Sequence, residues 1–241
     1  MQERNSIADF LNPFFESLDR RHIAWSVLRG YAELPFRVEH DLDLLVPPHQ
    51  LRHVTLAVQE TARQRHWTWV QEPCSPGVLS FNLAKQLPDA AIQLKLDLVT
   101  GFYWRGTPYA SAAYALASRL RQRNFYVLRP GAEAATTIAK EIIHTAAVRE
   151  KYRARIAGLA CADENAFRQV LQGHLPDQAI DALFSLCISS QGGQASALRK
   201  RLRRAVVLRS LFARPLRQTG RWITFLLQRR QKMAPALRHP Q

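Results

Sequence analysis

The sequence predicts an α/β protein of the α+β kind: a mixed β-sheet with flanking helices, followed by a helical C-terminal half. Three observations predict it. Apolar residues at helical spacing open the chain; short apolar runs punctuated by Pro and Gly fill residues 22–99; and from Gly131 onward the pattern is helical. With 47% apolar residues in 241, the chain has ample material for a core, which excludes a disordered protein.

Ile7, Phe10, Leu11, Phe14, Phe15 and Leu18 predict an amphipathic helix over 6–20 capped by Ser6, with Pro13 kinking it or Asn12 acting as the true cap. Residues 22–28 read as a strand, 29–39 as a loop carrying Gly30 and Pro35, and 40–46 as a second strand stopped by Pro47 and Pro48. A helix is expected over 49–63. Strands follow at 67–70, 78–84 and 91–99, separated by the turn-like EPCSPG and KQLPDA. No element is assigned from 101 to 122, and 124–128 reads as a short strand. The Ala-rich stretch 133–155 predicts one long helix, with further helices at 163–171 and 177–189. A boundary near Arg129 separates a mixed-sheet part (1–129) from a helical part (130–190). QGGQAS at 191–196 reads as a linker to a basic amphipathic tail, 197–241.

The net charge of +15 is unevenly placed. Thirteen of the 34 Lys and Arg lie after Ser196 with no acid among them, so the rest of the chain is close to neutral. Cys74, Cys161 and Cys187 are odd in number and widely spaced, as expected of reduced thiols in a cytosolic protein. The first 22 residues mix acids with apolar residues and lack a small-residue cleavage site, so no signal peptide is expected. No apolar run reaches the roughly 18 residues of a membrane span.

The chemistry concentrates in 40–46. Asp41 and Asp43 sit in an apolar run with Leu42, Leu44, Leu45 and Val46. Alternate side chains of a strand point to opposite faces, so both carboxylates share one face while the leucines enter a core. Carboxylates that close need neutralising, and Mg²⁺ is the usual solution, binding oxygen ligands together with substrate phosphates. The only other aspartate inside a clearly apolar strand is Asp97, in IQLKLDLVT. If that strand lies beside the Asp41 strand, three carboxylates meet at one metal site, the chemistry of nucleotidyl or phosphoryl transfer. The bland alternative for Asp97 is an ion pair with Lys95 on the same face. Arg29 and Arg37 are candidates to steer phosphate. Lys140 shares a helix face with His144 and Lys151, either solvated or turned to the sheet. Trp67, Trp69, Phe102, Tyr103 and Trp104 are core residues or the lining of a base or sugar pocket.

Gly30, the eleven-residue step to Asp41, the Asp41-Leu42-Asp43-Leu44 quartet and the later Asp97 resemble the signature of the nucleotidyltransferase fold superfamily. VLRGYAELP followed by DLDLLV is similar to nucleotidyltransferase-like proteins associated with bacterial surface-polysaccharide loci. Their KE-x-x-H and K-Y helix corresponds here to Lys140, Glu141, His144, Lys151 and Tyr152. The resemblance covers about residues 23–155. It implies that Asp41 and Asp43 hold two Mg²⁺ ions on a nucleoside triphosphate, and that Asp97 completes the second ion's site and acts as general base. Arg29, Gly30, Tyr31, Lys140 and Lys151 would form the nucleotide-binding side. Tyr31 stands where the family usually has Gly or Ser; its ring would narrow the phosphate site, stack on a base, or mark a silent member.

The implied reaction moves a nucleoside monophosphate from the triphosphate to a hydroxyl or phosphate acceptor, such as a glycan or lipid-linked intermediate. A catalytically silent nucleotide-binding or scaffold protein of the same fold and an RNA-modifying nucleotidyltransferase are the rival expectations. In the tail, Leu198, Leu202, Val206, Leu211 and Phe212 form an apolar stripe among arginines, and Trp222, Ile223, Phe225, Leu226 and Leu227 repeat the scheme. That profile predicts binding to an anionic membrane surface and a cytoplasmic protein peripheral at the inner membrane. RNA binding and docking on the helical half are the alternatives.

Overall fold

The structure, a computed structural model, describes residues 2–38, 40–75, 77–88, 90–189 and 195–213, with the backbone alone at 2–5, 151 and 209–213. Helix α1 (Gln2–Arg20) runs through Pro13. Phe10, Leu11, Phe14, Phe15 and Leu18 are wholly buried on both sides of the proline, and their burial outweighs the roughly 3 kcal/mol that a proline costs inside a helix. Asn12 is therefore no cap; its Oδ1 accepts from Asn124 Nδ2 at 2.6 Å.

The expected strand at 22–28 shrinks to β1 (Ser26–Val27), because the chain first turns off α1 through His22, with φ 53° and Ile23 N–H donating to Leu18 O. The strands β2 (Asp41–Leu45), β3 (Thr68–Ser75), β4 (Val78–Gln86) and β5 (Ala91–Val99) follow, with α2 (Leu51–Gln64) after β2. The unassigned stretch holds a hairpin, β6 (Phe102–Trp104) and β7 (Thr107–Ala110). Its two-residue loop, Arg105-Gly106, has positive φ at both positions. Helix α3 (Ala112–Ala117), capped by Ser111 Oγ accepting from Tyr114 N–H, leads to β8 (Leu120–Gln122) and β9 (Phe125–Val127).

Seven of these strands form one mixed sheet in the order β3-β4-β5-β2-β1-β9-β8. The pairs β1/β9 and β2/β5 are parallel and the others antiparallel. The period of two divides the strand residues cleanly. Leu42, Leu44, Phe81, Leu83, Leu94, Leu96 and Leu98 pack with α1 and α2 in one apolar cluster, while Leu45 and Val99 join a second with the helical half.

The helix expected over 133–155 is two: α4 (Pro130–Thr145) and α5 (Glu150–Ala162). Ala146 takes a left-handed φ of 64° at the end of α4, and Arg149 folds back onto buried Glu141 with bonds of 3.0 and 2.8 Å. The break lets Ile138, Ile142 and Ile143 of α4 and Ile156 and Ala160 of α5 share one core. Helices α6 (Glu164–Leu171), α7 (Asp177–Ile188) and α8 (Ala195–Ala213) complete the described chain. In α8, Leu198, Leu202 and Val206 are buried in this same core, so docking on the helical half accounts for that part of the basic stripe. Arg203 Nε and an Arg199 Nη donate to the Ile143 and His144 carbonyls, a favourable place for cations at the end of α4. The tail from Arg214 lies outside the described residues, as do Gln191–Gln194 of the expected linker. Among the described residues no helix is long and apolar enough to cross a membrane.

Gly30 has φ 72° and open space around an added Cβ, so its role is conformational rather than steric. Gly30→Ala is expected to cost about 1 kcal/mol, and Gly30→Asn less, because Asn tolerates the left-handed region. Chemical denaturation checks this; an alanine variant as stable as the parent contradicts it.

Candidate active site

β2 and β5 are parallel neighbours in a register that sets Asp43 opposite Asp97 and Asp41 opposite Lys95, and β4 adds Ser80 opposite Asp97. The condition left open by the sequence is met: oxygens of Asp41, Asp43 and Asp97 all lie within 4.8 Å of one another. Asp43 and Asp97 are 7% and 6% exposed, while the Asp41 side chain is 35% exposed and faces the opening.

Protein cations and a hydroxyl hold these acids. An Arg29 Nη lies 2.8 Å from Asp43 Oδ2; Lys95 Nζ lies 3.0 Å from Asp97 Oδ2 and 3.6 Å from Asp41 Oδ2. Ser80 Oγ donates to Asp97 Oδ1 at 2.6 Å. The bland pairing of Asp97 with Lys95 thus exists within the cluster rather than in place of it. Burial pushes the Asp43 carboxyl up; Arg29 and Lys140 pull it down, Asp41 and Asp97 push again, and the net is upward. Desolvation pulls Lys95 down, but the hydrogen bond and charge of Asp97 and the charge of Asp41 leave it raised. Burial, then Arg29, lowers Lys140 against the pull of Asp43 and Asp41.

Two cavities meet at Asp41, with Arg29 and Thr137 also bordering both, while Asp43 and Asp97 line the smaller alone. One, of about 270 Å³, lies between the sheet, the β6–β7 hairpin and α4, and includes Phe102, Tyr103, Tyr109, Lys140 and His144. The other, of about 430 Å³, is basic, with Gly30, His40, Arg149, Tyr152 and Arg155 around it. Arg155 donates to buried Glu133 at 3.1 and 2.6 Å, and Tyr31 Oη donates to the same carboxylate at 2.8 Å. Burial and the Glu133 charge push the Tyr31 phenol up to about 12. The ring also faces Phe125 at 6.5 Å and lies under the Arg155 guanidinium. Tyr31 therefore ties the Gly30 loop to α4 and α5, and is not among the residues bordering the carboxylate cavity.

The other expected site residues divide. Arg29, Lys140 and His144 stand at the carboxylate cavity, Gly30 at the basic one. Arg37 pairs instead with Glu33 at the surface, and the Lys151 side chain lies outside the described residues. Phe102 and Tyr103 line the cavity; Trp67 packs on Phe10, Trp69 lies under Arg63, and Trp104 lies under Arg105 and Arg203. Sequence reasoning missed Ser80, Tyr109, Arg149 and Arg155 as site residues. Ser80 had a signal, a small polar residue alternating with Leu79 and Phe81; Tyr109 lay in the unassigned stretch. An unbroken helix over 133–155 would have left both arginines solvated.

No protein-family model and no curated protein matches the sequence. Two solved structures overlie the fold loosely. A candidate nucleotidyltransferase from Helicobacter pylori aligns with TM-score 0.38 and 9% identity over 84% of this chain and 97% of its own. The H. pylori protein JHP933 aligns with TM-score 0.40 and 9% identity over 88% and 98%. Likeness this loose carries no inference about chemistry, which rests on the carboxylate cluster itself.

Proposed function

We propose that the chain is a Mg²⁺-dependent nucleotidyltransferase that moves a nucleoside monophosphate from a nucleoside triphosphate to an acceptor hydroxyl or phosphate. One observation carries the reading: three carboxylates from adjacent parallel strands within 4.8 Å of one another. The donor set suits the ion, since all three ligands are hard oxygens. The upward push on Asp43 also shows that Arg29 and Lys140 do not fully offset its burial and the neighbouring acids. Asp41, Asp43 and Asp97 would hold Mg²⁺, which when bound supplies charge neutralisation for the polyphosphate and its leaving group.

The chain's own residues supply the rest. Arg29, between the two cavities, is placed to exchange Asp43 for a phosphate oxygen, and Arg149 and Arg155, each anchored by a buried glutamate, border the larger cavity with half-exposed guanidinia whose remaining N–H groups suit phosphate. Ser80 orients Asp97, whose second oxygen becomes free to take a proton from an acceptor once Lys95 is drawn away. The acceptor is proposed to be a glycan or lipid-linked intermediate at the inner membrane face, met through the Arg-rich tail that contains Trp222 and Phe225.

The existing ion pairs favour a second reading, a silent nucleotide-binding protein in which Arg29 and Lys95 never leave the acids. A panel of α-labelled nucleoside triphosphates with Mg²⁺ and cell extract separates the two. Label transferred to an acceptor, and lost on chelation, supports transfer. Nucleotide binding without any transfer supports the silent reading.

A further inference from the structure

The two cavities meeting at Asp41 differ in chemistry. The basic one carries guanidinia, whereas the smaller is aromatic on the side formed by Phe102, Tyr103 and Tyr109. The aromatic wall is fixed in place. An ideal Cβ at Gly77 or Gly101 would come within 2.8 Å of the Tyr103 ring, so these glycines leave the space that the ring fills. Tyr109 is 3% exposed, and its ring packs against Phe102 at 6.3 Å between centroids. Burial raises its phenol, so the hydroxyl keeps its proton and is a donor. Tyr109 borders the cavity. A ligand in the cavity that carried an acceptor atom would be a fitting partner for that hydroxyl.

The character of that ligand follows from the walls. Arg29, Lys95 and Lys140 balance the three carboxylates, so the site carries no excess positive charge to draw an anion. The volume of about 270 Å³ is below the roughly 300–1,000 Å³ of sites for drug-sized ligands, so a single ring fits better than a nucleotide. We propose that the aromatic cavity is the acceptor subsite and that it takes a neutral sugar ring. The C–H faces of the sugar lie on the aromatic wall, Tyr109 donates to a ring substituent, and a sugar hydroxyl faces Asp97. The basic cavity is left to the phosphates of the donor. The inference deepens the proposed function and rests on it for what is transferred; sugar binding itself requires no metal.

The test uses the full chain in chelator, with a panel of methyl glycosides as probes and saturation-transfer NMR as readout. Magnesium-linked binding of nucleoside triphosphates is measured in parallel by calorimetry. Glycosides are expected to bind the parent protein. Tyr109→Phe, which removes one oxygen and keeps the packing, should weaken them roughly five- to ten-fold while nucleotide affinity stays within about two-fold. Tyr103→Leu, which removes the wall, should weaken them at least as much. Glycosides that fail to bind the parent overturn the inference, as does a Tyr109→Phe effect confined to the nucleotide, which would make the cavity a base site. Tyr109-dependent glycoside binding with no magnesium-linked nucleotide binding upholds the sugar subsite and removes the transferase reading. Nucleotide binding without glycoside binding does the reverse.

Discussion

Asp43→Asn is expected to abolish magnesium-linked nucleotide binding and to lower transfer by at least about 10³-fold, with the circular dichroism spectrum unchanged. Asp43 is the most exacting member of the trio to change, because it lies opposite Asp97, two residues from Asp41, and within 2.8 Å of Arg29. The amide keeps the shape and removes the charge. The same substitution has an opposite effect on stability. The folded-state pKa of Asp43 lies above its unfolded value, so the native state retains the proton longer. Stability therefore falls as pH rises between the two values, and the deficit persists at neutral pH. Without divalent ions, Asp43→Asn should melt at or above the parent at pH 7, since Arg29 remains partly exposed and can rehydrate. Added Mg²⁺ should raise the parent's melting temperature and leave the variant's unmoved. A variant that still gains from Mg²⁺ contradicts the assignment; gain of function at the expense of stability is the pattern of a built site.

Gly131→Ala should be the most damaging single methyl group. An ideal Cβ there would lie 1.8 Å from the Asp163 carbonyl oxygen and 2.6 Å from Phe167 N, both backbone atoms that cannot swing aside. The first turn of α4 touches the start of α6 at this glycine, and Arg129 clamps the same corner with bonds of 2.8 and 3.0 Å to Asp163. Forcing the helices apart is expected to cost about 3 kcal/mol or more and to lower the melting temperature by roughly 6–12 °C. Transfer should fall as well, because α4 carries Lys140 to the carboxylates. Gly158→Ala is the control: it lies in α5 with nothing within 4 Å, so the alanine should stabilise by up to about 1 kcal/mol. Equal melting temperatures for the two variants would contradict the packing account.

How far the sequence could be read depended on the range of the interactions involved. Asp41 and Asp43 declared their shared face through the period of two, a local property. That Asp97 faces them depends on β5 pairing with β2 rather than with another strand, which no local pattern specifies. The resemblance to nucleotidyltransferases supplied that expectation. The extra strand residues of β3 and the hairpin at Arg105-Gly106 escaped notice for different reasons. The first is an exposed edge with little apolar alternation, and in the second Gly106 is a turn signal but its loop partner Arg105, which also takes a positive φ, is not. The break between α4 and α5 was hidden because Ala146, an excellent helix former, adopts the left-handed cap when Arg149 finds Glu141. The tail shows the same lesson for surfaces. Leu198, Leu202 and Val206 have the spacing of a membrane-facing stripe, and their burial against the helical half is a tertiary fact.

Crystals grown with Mn²⁺ and a non-hydrolysable nucleoside triphosphate test the central claim most directly through anomalous scattering. The account predicts a peak within about 2.5 Å of oxygens from Asp41, Asp43 and Asp97, with Arg29 and Lys95 displaced from them. A peak elsewhere, or none while both cations remain on the carboxylates, would contradict it.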